Sequence, residues 1–204
     1  MSQQIIKIKP SIFHAEMELL LDSGFIQCKS HRSKKTNCVT IQKQDIDGFR
    51  YGVKWITGYA FNIGRTYCID VKAGDEILQL RIRSVYGIRK QQIHEKYHLL
   101  INALFETYFA EQLEQLLSIY HAGADIALEG LIFSQKHIYF PKNNINVKWA
   151  DLGTKNYRNY FALFDKCNPN HHEVFYYLTD WNVALIDFLI FRILSAKGIL
   201  KNHA

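Results

Sequence analysis

The apolar positions of this chain follow two periods. Alternating apolar and polar residues over Phe49–Ile56, Tyr67–Val71 and Ile77–Ile82 predict strands, and Asn37–Ile41 reads as another. Ala73-Gly74-Asp75 is a hairpin turn signal between the last two of the first three. From Gln91 to His121 the period lengthens. Ile93, Tyr97, Leu100, Ile101, Leu104, Tyr108, Leu113, Leu116, Leu117 and Tyr120 recur at helical spacing, and Gly123 ends that helix. Strands resume over Ile126–Phe133, His137–Phe140, Asn146–Trp149, Tyr157–Phe164 and Glu173–Leu178. Asp180 or Asn182 caps a last helix, Val183–Ala196. Upstream, Ile12, Phe13, Met17, Leu19, Leu20 and Leu21 fall on a broad face, so Pro10–Asp22 predicts a short helix stopped by Gly24. Phe25–Cys28 is too short to assign.

The tripeptide Val-Lys-Trp occurs twice, at Val53–Trp55 and Val147–Trp149. Tyr67 and Tyr160 follow at nearly equal distances, and a late strand then precedes a helix in each pass. This succession predicts two related β-rich units, residues 1–121 and 122–204, which either stand apart or merge into one composite domain. The last helix is apolar around nearly its whole circumference, which predicts burial on more than one side. One face fits a curved sheet, and the other fits the N-terminal half or a second copy of the chain.

The stretches Gly130–Phe140, Val147–Leu152, Val174–Leu178 and Asn182–Asp187 together resemble the bacterial pleckstrin-homology-like (PH-like) domains, mainly over residues 124–196. The resemblance implies an α+β fold of bent antiparallel sheets closed by helices, and a non-catalytic binding or scaffolding role without a cofactor. It carries over no lipid-binding residues. About five strands are counted there, against the seven of that family.

Composition is that of an ordinary folded chain: 48% hydrophobic and 22% charged, with 12 Tyr and 13 Phe favouring strands. No leader is read at Met1–Pro10 and no stretch approaches a membrane span, so the expected location is cytoplasmic. The four cysteines lack the paired spacing of a disulfide framework or zinc site. The net charge of +6 is spread along the chain, which argues against a nucleic-acid-binding arm. Two basic clusters stand out as candidate binding residues. Arg32, Lys34 and Lys35 belong to a polar stretch, Lys29–Lys35, read as a loop that could meet phosphate groups on an anionic membrane surface or a nucleic acid. Arg81, Arg83, Arg89 and Lys90 form the other. The expected partner is another protein or a second copy of this chain.

One motif points to different chemistry. His94-Glu95-Lys96-Tyr97-His98 matches H-E-x-x-H, which on a helix sets two imidazoles one turn apart with a carboxylate between them, as in a zinc-dependent hydrolase. Glu111 and Glu114 lie too far along the same helix to complete the metal, leaving Glu129, Asp151 or Glu173 as third ligand. Two surface histidines on an amphipathic helix are the plainer reading. No nucleophile elbow or phosphate-binding glycine loop accompanies it.

Overall fold

The structure, a computed structural model, describes residues 3–10, 16–32 and 35–199, with the backbone alone over 30–32 and 35–37. The fold is α+β. The chain divides into two compact units, 1–110 and 111–204, and the boundary lies inside the long helical stretch, before the His121 end read from sequence.

The first unit begins with β1 (Gln4–Ile8), β2 (Met17–Leu21), β3 (Phe25–Arg32) and β4 (Lys35–Gln42), an antiparallel sheet in that order. The sheet β5 (Gly48–Thr57), β6 (Asn62–Ala73) and β7 (Glu76–Val85) follows, again in chain order, and α1 (Lys90–Leu104) comes next. A π-turn, Phe105–Phe109, joins α1 to α2 (Ala110–His121). Both sheets and α1 feed one core: Ile8, Leu19, Ile26, Phe49, Tyr67, Ile69, Leu80, Leu100, Leu104 and Phe109 are all buried in it.

Two expectations change here. The helix predicted over Pro10–Asp22 is a strand wherever the structure describes it as an element. Met17, Leu19 and Leu21 point inward from β2 and pair with β1 and β3, although residues 11–15 lie outside the described residues. The leucines favour a helix by propensity, but alternate burial between two paired strands decides the outcome. The basic stretch Lys29–Lys35 is also no free loop. Its ends belong to a hairpin whose register runs from Phe25 opposite Gln42 to Arg32 opposite Lys35. Lys34 lies outside the described residues, as do the side chains of Arg32 and Lys35.

The second unit starts in α2 and continues through β8 (Ile126–Leu128), β9 (Leu131–Phe133), β10 (His137–Phe140) and β11 (Ile145–Lys148), one antiparallel sheet. β12 (Leu152–Asn156), β13 (Tyr160–Asp165) and β14 (His172–Tyr176) make a three-stranded sheet, and α3 (Val183–Ala196) follows. The five strands counted from sequence become seven. Ile126–Phe133 splits at Glu129-Gly130, both at positive φ, and β12 adds a strand where Gly153, Thr154 and Lys155 give little apolar signal. Trp149 is buried just after β11, donates its indole N–H to the Ser134 carbonyl (2.8 Å) and stacks with Phe133. The two Val-Lys-Trp tripeptides therefore occupy different places, inside β5 and at the end of β11, whereas Tyr67 and Tyr160 both lie on the central strand of a three-stranded sheet.

In α3, Val183, Leu185, Ile186, Leu189, Ile190, Ile193 and Leu194 are buried, yet Phe188 and Phe191 are about half exposed. Its apolar circumference is thus only partly covered, and the helix is not enclosed on all sides. No helix among the described residues is long and apolar enough to cross a membrane.

Candidate functional site

Strands β5, β6 and β7 present one face to the core and the other outward. Phe49, Tyr67, Ile69, Val71, Leu78, Leu80 and Ile82 belong to the core, so the alternating positions Arg50, Lys54, Cys68, Asp70, Gln79, Arg81 and Arg83 share the outer face. Register places Arg50, Asp70 and Gln79 in one cross-strand row, Gly52, Cys68 and Arg81 in the next, and Lys54, Thr66 and Arg83 in a third.

Asp70 is the anchor of this face. Its side chain is only 5% exposed and accepts from Arg50 Nε at 2.9 Å and from Arg81 Nη1. The Arg81 guanidinium also donates to the carbonyls of Ile69 (3.2 Å) and Leu80 (2.9 Å). A buried carboxylate is tolerable because two charge-assisted partners hold it. Two guanidiniums flank this one carboxylate, and the exposed Lys54 and Arg83 add positive charge to the same face. Cys68 lies in the middle row beside Arg81, where burial pushes its thiol pKa upward and Arg81 opposes the shift.

Of the seven candidate binding residues, Arg81 and Arg83 reach this face. Arg89 and Lys90 lie past the end of β7, in the turn and at the first residue of α1, both exposed. Arg32 and Lys35 pair across the β3–β4 hairpin, in a different sheet, and Lys34 is outside the described residues. Sequence reading missed Arg50 and Lys54, which only strand pairing brings beside Arg81 and Arg83. The signal available was their spacing at even steps within an alternating segment.

The H-E-x-x-H residues do stand on one helix face. The His94 and His98 rings lie 4.4 Å apart, edge to face, and both are exposed on α1. Burial, and then the neighbouring His94, pushes the His98 pKa down. Glu95 accepts from Gln91 (2.9 Å). Among the described residues no three His, Cys, Asp or Glu side chains gather closely enough to hold a metal ion. Two of the three side chains considered as a third ligand are engaged in the second unit. Glu129 accepts from Asn182 (3.0 Å), and Glu173 from the Lys142 backbone N–H (2.8 Å). Beneath His94, 6.1 Å away between ring centres, lies Tyr67, whose buried hydroxyl has no hydrogen-bond partner among the described residues.

The second unit exposes an aromatic face. Phe161 and Leu163 of β13 point inward, so Tyr160, Ala162 and Phe164 point outward, opposite Tyr176, Val174 and His172 of β14. Tyr157 stacks on Tyr160 at 4.5 Å between ring centres, Tyr160 meets Tyr176 at 5.7 Å, and the Lys155 ammonium sits 5.0 Å over the Tyr157 ring. Tyr157 is 40% exposed and Tyr176 52%. Gly153 makes room for this face, because a Cβ there would lie 2.4 Å from the Phe164 ring. At the sheet end the Tyr177 hydroxyl donates to Asn156 Oδ1 (2.6 Å), and Asn156 Nδ2 donates to Asp187 of α3 (3.0 Å). Burial raises the Asp187 pKa, partly offset by that hydrogen bond.

No protein-family model matches this sequence, and no curated protein does.

Proposed function

We propose that this chain is a non-catalytic binding or scaffold protein built from two related PH-like units, with another protein as its ligand. One observation carries the reading: a four-stranded meander, a three-stranded meander and then a helix occur in that order in each unit. Seven strands followed by a helix is the succession that the PH-like resemblance implies, and this order of elements is what supports the reading. In both units the helix after the last strand buries an apolar face: Tyr97, Leu100, Ile101 and Leu104 in α1, and Leu185, Ile186, Leu189 and Ile193 in α3.

The tyrosine face of β13 and β14 is the surface best suited to a protein partner. Tyrosine offers a large, stiff contact area with a hydroxyl at its edge, and such side chains anchor many interfaces. Three touching rings on an open sheet face bring that area together already ordered, which lowers the entropy lost on docking.

A photo-crosslinking residue introduced at Tyr176, in cells of the native host, tests this. The expected result is one dominant crosslinked protein, absent when the same residue replaces exposed Asn102 on α1 and lost on Tyr160→Ala. Identical crosslinking profiles from positions 176 and 102 would refute the docking surface.

A further inference from the structure

One end of the β5–β7 sheet in the first unit is apolar and exposed. The β5–β6 hairpin closes through a tight turn in which the Gly58 N–H donates to the Phe61 carbonyl (2.8 Å). Polar residues are the rule at such tips, yet here Tyr59 is fully exposed and Phe61 is 66% exposed. The β7–α1 turn comes to the same end of the sheet, since Tyr86 N–H donates to the Ile63 carbonyl (2.7 Å) and Val85 pairs with Gly64. That turn exposes Tyr86 (73%) and Ile88 (45%). Its backbone is held with Tyr86, Gly87 and Arg89 all at positive φ, and Ser84 Oγ donates to the Ile88 carbonyl (3.1 Å). A bulky residue kept at positive φ to display its ring outward is an arrangement that burial within this unit does not explain.

Charge around the tip is of one sign. Arg50 and Arg81 are held by Asp70 farther down the sheet, but residues 53–69 and 82–94 contain Lys54, Arg65, Arg83, Arg89 and Lys90 and not one Asp or Glu. Arg65 lies 4.4 Å over the Trp55 ring, one cross-strand row above Lys54 and Arg83, while Arg89 and Lys90 directly follow Ile88. At about 3.3 Å per residue Arg65 stands roughly 13 Å along β6 from Phe61, whereas Arg89 and Lys90 lie at the exposed β7–α1 turn itself. An apolar, aromatic point with a cationic collar matches a lipid surface in section: acyl and interfacial region first, anionic headgroups around it.

We infer that the β5–β6 and β7–α1 loops dock this protein on an anionic lipid bilayer, with Tyr59, Phe61, Tyr86 and Ile88 entering the interface and Arg65, Arg89 and Lys90 meeting the headgroups. This site is distinct from the Lys29–Lys35 stretch and independent of the tyrosine face. Binding is peripheral and reversible, because a few interfacial side chains and a short-range electrostatic attraction carry it.

Cosedimentation of the full chain with phosphatidylcholine vesicles, with and without roughly one-third phosphatidylglycerol, tests the inference. The wild type is expected on the anionic vesicles only, and salt of about 0.5 M releases it by screening. The double variant Tyr59→Ser/Phe61→Ser is expected to weaken partition about tenfold or more, and Arg89→Gln/Lys90→Gln by a similar factor, about fivefold per cation. All four side chains are exposed, so both variants keep the wild-type thermal melt, which is measured alongside. Equal binding to neutral vesicles, or no anionic binding by the wild type, would overturn the inference. So would undiminished binding by the Tyr59→Ser/Phe61→Ser variant, loss only on Lys29→Gln/Lys35→Gln, or binding to a single-stranded oligonucleotide but to no vesicle. The crosslink from position 176 is unaffected by any of these results.

Discussion

Replacing Asp70 with asparagine removes one charge and almost no volume, so it isolates what the carboxylate does. Asp70 Oδ1 and Oδ2 each receive a guanidinium, and the side chain is almost wholly buried while Arg50 and Arg81 remain 22% and 33% exposed. An asparagine keeps one acceptor and turns an N–H2 toward the other guanidinium, donor against donor. The loss of one charge-assisted hydrogen bond costs about 1.5–3 kcal/mol. Two partly exposed arginines left without this counter-charge add a smaller term, because each can swing toward water. The expected destabilisation of the first unit is about 2–3 kcal/mol, below the roughly 3–5 kcal/mol of a fully buried broken pair. Native-state hydrogen exchange over β5–β7 reads it without interference from the second unit. Combining Asp70→Asn with Arg50→Gln should cost less than the two single changes summed, since the second removes a charge the first had orphaned. A loss under about 0.5 kcal/mol, or strict additivity in the double variant, would sink the argument that this carboxylate is what permits a basic sheet face here.

Three further outcomes follow from individual contacts. Gly64→Ala should destabilise the first unit by about 1–3 kcal/mol, because the new Cβ would lie 2.3 Å from the Ser84 carbonyl oxygen, a backbone atom that moves only with β7. An unchanged urea midpoint would show that the strands separate freely at that point. Tyr67→Phe should be neutral or stabilising by up to about 1 kcal/mol, since it deletes a buried hydroxyl without a partner and keeps the ring against Tyr97. A clear loss of stability would reveal a hydrogen bond at that hydroxyl. His98 should titrate below the ordinary histidine value, by burial and then by the neighbouring His94. The unfolded chain then binds the proton more readily. Stability is therefore full above about pH 6.5 and declines as pH falls toward the folded-state pKa. NMR titration of the ring proton checks this, and an unshifted His98 in the wild type, or one indifferent to His94→Ala, contradicts it.

Much of the framework was legible because burial imposes its own period. His137–Phe140 and Val183–Ala196 emerge with the bounds read from sequence, and β5 and β7 nearly so, since each alternates or repeats cleanly. What failed was short or locally ambiguous. Met17–Leu21 has three consecutive leucines, which satisfy a helical face as well as a strand, and only pairing with β1 and β3 discriminates. β12, with Gly153, Thr154, Lys155 and Asn156, has one apolar residue and is a strand because β13 supplies its hydrogen bonds. The basic face was half visible. Arg81 and Arg83 are adjacent in alternation, but Arg50 and Lys54 come from another strand, and register is a tertiary property. Tyr59 and Phe61 drew no notice because an aromatic residue in an aromatic-rich chain signals a core until its exposure is known.

Strand order in all four sheets is the order of the chain, each strand pairing only with its neighbours in sequence. Every ladder is therefore closed by a short local connection, and little chain must be gathered before pairing lowers the free energy. During synthesis β1–β4 have every ladder partner once Gln42 has emerged, and β5–β7 once Val85 has. The apolar faces then wait for α1 and the π-turn, with Phe109, to follow them out. The first unit thus completes its sheets while the second is still being translated, and a nascent chain stalled once Ala110 has emerged should already resist protease over that unit.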